Sequence, residues 1–265
     1  MKEIESIRNP QIQALRKLSR TRERREQGRF LVEGPRMAEE ALAAGWCELV
    51  LVSHLTERNA AVAEKAEQTG IEVIRVSEAV MESLSENQTP QGILCVCRMP
   101  EQAKMPDGPL ILALDAVQNP GNVGTMIRTA DAAGFAGIVL GPGCADLYSP
   151  KTLASTMGSV FHLPIVTVED LPGMLHAFAE KGTAVIATEL GGEDFYQACP
   201  QEPAILVIGN EGNGISEIVS RQATCHLALP MRGGAESLNA SVAAGIMIYE
   251  MARRSEQPVP AAQHG

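Results

Sequence analysis

Arg128 stands alone among small and apolar residues in "NPGNVGTMIRTADAAG" (119–134), where Asn119 and Asn122 flank a Pro-Gly turn. A planar cation with five donors, fixed on a helix, suits a phosphate or an emerging oxyanion. It suits a structural ion pair with Asp131 or Asp115 equally well, and the stretch alone leaves both readings open. Gly121 and Gly124 are spaced G-x-x-G, whereas a dinucleotide fingerprint needs G-x-G-x-x-G and a phosphate loop needs G-x-x-x-x-G-K-[ST]. Neither pattern is present.

Two further segments carry polar groups in glycine-rich settings. In "AILVIGNEGNGIS" (204–216), a buried strand runs into a loop where Gly209, Gly212 and Gly214 surround Glu211. Glycines let backbone approach a ligand closely, and a carboxylate held among them must be exposed, paired or bonded to amides. In "HLALPMRGGAESLNASVAAGIMIYEMARR" (226–254), a short strand ends at Pro230 and a Gly-Gly loop leads to Ser237 and Asn239. Those two read equally as helix caps. Beyond them, Ala240, Ala243, Ala244 and Gly245 permit close backbone packing, within the chain or against a second copy. The six cysteines (Cys47, Cys95, Cys97, Cys144, Cys199, Cys225) form no C-x-x-C pair and have no His at ligand spacing. Free thiols and no metal are expected.

The elements that must position these groups follow from apolar periodicity. From Asn9-Pro10, the spacing Ile12, Leu15, Leu18 marks one helix face that fades into "RTRERREQG". Strand-like "RFLVE", "CELVLVS", "IEVIRV" and "GILCVCR" then alternate with helices closed by Gly45 and Gly70 or capped by Ser77. This predicts a small α/β layer structure over residues 1–98. "MPEQAKMPDGP" (99–109) has three prolines and no apolar period, so it reads as a linker. The second domain, 110–254, opens on "LILAL", with strands expected at 137–141, 164–168, 183–188, 204–209 and 226–229 and a last helix over 238–254. Runs apolar on both faces predict a mostly parallel sheet covered by helices. Its ligand loops should follow the carboxyl ends of the strands, where all three segments fall. The tail, 255–265, reads as disordered.

The formal charge of −10 argues against a nucleic-acid partner until its distribution is considered. Residues 1–36 hold ten Lys or Arg against five Glu, a net +5 on a body carrying −15. A basic arm that touches a polyanion and a solvated helix with internal ion pairs both fit that asymmetry. No apolar run approaches a membrane span, and "MKEIESIRNP" lacks an apolar signal core, so a cytoplasmic protein with no membrane partner is expected.

Taken together and in order, "NPGNVGTMIRTADAAG", "VIGNEGNGIS" and "LPMRGGAESLNASVAAGI" resemble the three motifs of the SpoU (TrmH-type) branch of the SPOUT methyltransferases. The likeness covers roughly residues 108–254, and the N-terminal part resembles, more loosely, the accessory RNA-binding domain of many members. It implies transfer of methyl from S-adenosylmethionine to a ribose 2′-oxygen of RNA, ribosomal RNA ahead of tRNA, by a homodimer with a deep trefoil knot. A relative that binds RNA but has lost catalysis is the rival reading; retention of all five motif residues counts against it. By that resemblance the catalytic set is Asn122, Arg128, Glu211, Ser237 and Asn239. The cofactor set is Thr188, Gly209, Asn210, Leu229, Met231 and Leu238. Arg16, Lys17, Arg20, Arg22, Arg24, Arg25 and Arg29 are the candidate RNA contacts.

Overall fold

The computed structural model describes residues 2–100, 104–200 and 202–255. The tail expected to be disordered lies outside the described residues except for Ser255, and so does the middle of the 99–109 segment. The first half of the chain runs β1 (Lys2–Ile4), α1 (Pro10–Arg16), α2 (Thr21–Gln27), β2 (Arg29–Glu33), α3 (Pro35–Ala43), β3 (Cys47–Val52), α4 (Glu57–Gln68), β4 (Glu72–Val76), α5 (Glu78–Leu84) and β5 (Ile93–Arg98). The second half runs β6 (Leu110–Leu114), α6 (Pro120–Ala132), β7 (Gly137–Leu140), α7 (Pro150–Thr156), β8 (Ile165–Thr167), α8 (Leu171–Ala179), β9 (Ala184–Asp194), α9 (Phe195–Ala198), β10 (Ala204–Ile208), α10 (Glu217–Ser220), β11 (Cys225–Ala228) and α11 (Ala240–Arg254).

Contacts group these elements into two units, Met1–Lys104 with Asn119–Arg128 and Ala145–Leu163, and Met105–Gln118 with Thr129–Cys144 and Pro164–Gly265. The first unit is built on a sheet of order β1-β4-β3-β5-β2. There β5 runs antiparallel to β2 and β3, while β4 runs parallel to β3 and β1. Ile12, Leu15 and Leu18, on one face as their spacing predicts, bury against Leu49, Leu51 and Ile74. The helix does not simply fade into its charged end. A 3-10 turn over Lys17–Ser19 interrupts it, and α2 is a separate helix stopped by Gly28 in the left-handed region at φ 62.

The sequence boundary at 99–109 does not anticipate that residues 119–128 and 145–163 group with the N-terminal unit. Aromatic packing and one buried ion pair account for it in part. The Phe30 ring lies 4.6 Å from that of Tyr148, and Trp46 meets Phe161 edge-on at 5.3 Å. Arg24, counted by sequence with the RNA-facing arginines, instead turns inward and is 2% exposed. Its Nη1 donates to the carbonyls of Leu18 and Ser19, both at 2.8 Å, and its Nη2 meets Asp146 at 2.7 Å. A charge so enclosed needs those partners, and it is lost to phosphate binding.

The second unit holds a six-stranded sheet of order β11-β9-β10-β6-β7-β8 in which the strands pair parallel. β6 and β10 lie at its centre in register Leu112 to Leu206, and each is buried along its whole length. Ile111, Val139, Val185, Ile205 and Val207 face Leu171 and Leu175 of α8 in one core. β9 outruns its predicted end at 188 and reaches Asp194, pairing with β11 across an irregularity between His226 and Leu227.

Candidate active site

In a parallel sheet, loops leaving β6 and β10 emerge on the same edge. Here the two are tied together. The Asp115 amide donates to the Ile208 carbonyl at 2.9 Å, and the buried Asp115 Oδ2 accepts from the Ser216 amide at 2.7 Å. Asn210 Nδ2 donates to the Ala116 carbonyl at 2.8 Å, while Glu211 Oε2 accepts from the Gln118 amide at 3.2 Å. Ala116 adopts φ 53, a left-handed backbone unusual for a residue with a side chain. That strain persists because Asn210 and Asp115 fix the loop on either side of it.

The loop after β10 is also closed on itself. Asn210 and Gly214 exchange backbone hydrogen bonds of 2.9 Å, and Asn210 Oδ1 accepts from the amides of Gly212 and Asn213 at 2.9 and 3.0 Å. Beneath it Gly209 has no room for a side chain, since a Cβ would lie 2.2 Å from the Gly214 carbonyl carbon. Thr188, partway along β9, donates from Oγ1 to the Val207 carbonyl at 2.8 Å, which holds it against β10.

The third motif leaves β11 through a stretch without regular structure. Leu229 is half-buried there, whereas Met231 and Leu238 are 36% and 39% exposed, high for apolar side chains in a loop. Ser237 is exposed, and Asn239 is the N-cap of α11, its Oδ1 accepting from Ser241 and Val242 at 2.9 and 3.3 Å. The cap reading of Asn239 therefore holds in this structure.

In the first motif, Asn119 Oδ1 accepts from the amides of Gly121 and Asn122 at 2.8 and 3.3 Å and so opens α6. Asn122 is buried and Arg128, more than a turn further on, is exposed. Gly124 lets α6 lie against α7, where a Cβ would stand 2.5 Å from the Thr152 carbonyl oxygen. The structure thus brings Gly209, Asn210 and Glu211 to the loop after β6. Ser237 and Asn239 sit at the entrance to α11, and Asn122 and Arg128 lie on the part of α6 grouped with the first unit. Sequence reasoning assigned no site role to Asp115, although its place after five apolar residues of β6 was a signal for a buried carboxylate with amide partners.

Six cysteines are unbonded, three of them buried. Among the described residues no group of three or more His, Cys, Asp or Glu could hold a metal ion, and no helix is long and apolar enough to cross a membrane.

Comparison with known proteins places these loops in a wider set. Residues 9–95 match an MRM3-like substrate binding domain. The chain is 41% identical over 253 residues to the 23S rRNA (guanosine(2553)-2′-O)-methyltransferase RlmP of Bacillus subtilis, covering 95% of this chain and 99% of that protein. It is 31% identical to the 23S rRNA (uridine(2479)-2′-O)-methyltransferase of Streptomyces viridochromogenes, over 93% of this chain and 91% of the relative. The crystal structure of an AdoMet-bound rRNA methyltransferase from Sinorhizobium meliloti superposes with a TM-score of 0.83 at 33% identity, covering 95% of this chain and 97% of that one. Residues 109–249, which contain all three motifs, match the SpoU rRNA Methylase family, and the chain belongs to it.

Proposed function

We propose that this chain transfers the methyl group of S-adenosylmethionine to a ribose 2′-hydroxyl of ribosomal RNA, working as a homodimer in the cytoplasm. The observation that carries the reading is the interlock of the loops after β6 and β10, in a chain matching the SpoU family over residues 109–249. A loop closed by its own amides and carbonyls, with glycine where backbone meets backbone, suits a cofactor held by main-chain groups and apolar side chains. The exposed Met231 and Leu238 and the open space around Gly233 and Gly234 fit the same ligand. Gly209, Asn210, Leu229, Met231 and Leu238 would hold S-adenosylmethionine, with Thr188 supporting the strand end beside them. The bound cofactor supplies an electrophilic methyl group on a sulfonium. In this reading the backbone passes through itself around these loops in a deep trefoil knot.

The chain's own residues then act on the RNA. Arg128 presents a planar fork of five donors; it stabilises the emerging alkoxide and holds the neighbouring phosphate. Asn122 shapes the start of α6, Glu211 secures the loop after β6, and Ser237 and Asn239 order the entrance to α11. The segment 1–98 recognises RNA, with Arg16, Lys17, Arg20, Arg22, Arg25 and Arg29 facing phosphates. Val242, Ile246 and Tyr249, 51%, 37% and 54% exposed at helical spacing on α11, supply an apolar stripe for the second copy. Mapping 2′-O-methylation across ribosomal and transfer RNA from cells with and without the gene tests the proposal. Loss of one ribosomal RNA methylation is expected, and unchanged ribosomal RNA would overturn it.

A further inference from the structure

A cavity of about 600 Å³ lies within the first unit, and no residue of the three motifs lines it. Its size falls within the roughly 300–1,000 Å³ of small-ligand sites. The walls are of two kinds. Leu18, Leu31, Leu84, Leu94 and Leu153 make an apolar interior, and Arg16, Arg36 and Lys151, each exposed, bring positive charge from α1, α3 and α7. Of the two carboxylates present, Glu33 is engaged within the wall, its oxygens accepting from Ser85 Oγ at 2.7 Å and the Gln91 amide at 2.9 Å. Glu86 is exposed.

Several features of the cavity are built. The Gln91 side-chain amide lies over Gly34, where a Cβ would meet its Oε1 at 2.5 Å, so glycine there makes room for a group able to donate and accept. The buried Arg24–Asp146 pair holds two walls at once. Arg24 donates to the carbonyls of Leu18 and Ser19, and Asp146 Oδ1 accepts from the Tyr148 amide at 3.0 Å. Met157, also in the lining, adopts φ 52 and presents a 37% exposed side chain. A non-glycine residue in that region is a strain the surrounding structure must maintain.

An apolar slot edged by amides, with cations at its mouth, matches an unstacked nucleobase with its flanking phosphates, the form in which single-stranded RNA is read. We infer that this cavity receives one unpaired nucleotide of the RNA substrate, distinct from the nucleotide that is methylated. The base enters between the leucines, Gln91 and Asn87 face its polar edge, and Arg16, Arg36 and Lys151 meet the adjoining phosphates. This rests on the RNA-methylating reading above.

The test uses the full chain and a 23S rRNA transcript carrying 4-thiouridine, with the wild type, Ala154→Trp and Lys151→Glu compared. Ala154 is exposed on α7 and lines the cavity, so tryptophan there fills it from the open side. The wild type is expected to crosslink at Tyr148 or Met157. Both variants should lose that crosslink and bind the transcript at least tenfold more weakly, with calorimetric affinity for S-adenosylmethionine and the unfolding temperature unchanged. Wild-type affinity and crosslinks in both variants would overturn the inference while leaving the RNA reading intact. Failure of the wild type to bind the transcript would overturn the reading beneath it. Saturable binding of a nucleoside monophosphate that Ala154→Trp abolishes, with transcript affinity unaffected, would assign the cavity to a free nucleotide and overturn the RNA assignment.

Discussion

The planar guanidinium of Arg128, with five donors in a fixed fork, is the group proposed to stabilise charge on the ribose oxygen. Arg128→Ala should lower single-turnover methyl transfer by about 10²–10³-fold, the usual effect of losing one oxyanion partner, with affinity for S-adenosylmethionine retained. Transfer near the wild-type rate would remove Arg128 from the reaction. Arg24 has the opposite role, and nothing in "RTRERREQG" distinguishes it from its neighbours, because burial there depends on where residue 146 arrives. Burial pushes the Asp146 carboxyl up, but hydrogen bonds from Arg24 and Thr21 and the Tyr148 amide outweigh it, and the net shift is downward. A carboxylate depressed on folding adds stability that is present above its unfolded pKa of about 3.9 and is lost as pH falls through the folded value. Asp146→Asn strands a buried cation, for which a loss near the low end of ~3–5 kcal/mol is expected in chemical unfolding at pH 7. The deficit should shrink toward pH 3, and a pH-independent difference would count against the ion pair.

Helices and strands were largely legible because long apolar runs are bounded by glycine, proline and capping residues. Ser77 and Asn9 cap the helices their positions foretell. What was not legible depends on distant partners. β1 has Ile4 as its single buried residue, too little pattern to mark a strand until β4 pairs with it. The extension of β9 through "ELGGED" is polar and glycine-rich, and it becomes strand because β11 lies alongside. The proposed catalytic and cofactor positions stand in recognisable motifs, whereas the bonds joining Asp115 to Ser216 and Asn210 to Ala116 cross about a hundred residues and leave no local trace. A glycine makes this concrete. Gly209→Ala must push the loop after β10 off its own backbone, so affinity for S-adenosylmethionine should fall tenfold or more in calorimetry.

A chain of net charge −10 that binds RNA must concentrate its few cations. Reversing Arg20, Arg22 and Arg25 to glutamate together should weaken transcript binding. It should also flatten the plot of log affinity against log salt by about 0.7–0.9 for each phosphate that is no longer neutralised. An unchanged slope would exonerate the N-terminal arm. On α11, Val242→Glu should convert a dimer to a monomer in sedimentation at micromolar concentration, and a monomeric wild type would count against the apolar stripe as an interface. The central pairing of β6 with β10 also has a consequence in time. β10 begins about ninety residues after β6 ends. At roughly 5–20 residues per second of synthesis, a nascent chain waits on the order of 5–20 s with β6 lacking its central neighbour. During that interval a strand apolar on both faces is open on one edge, so protease sensitivity confined to arrested chains shorter than residue 208 is the expected signature of assembly on the ribosome.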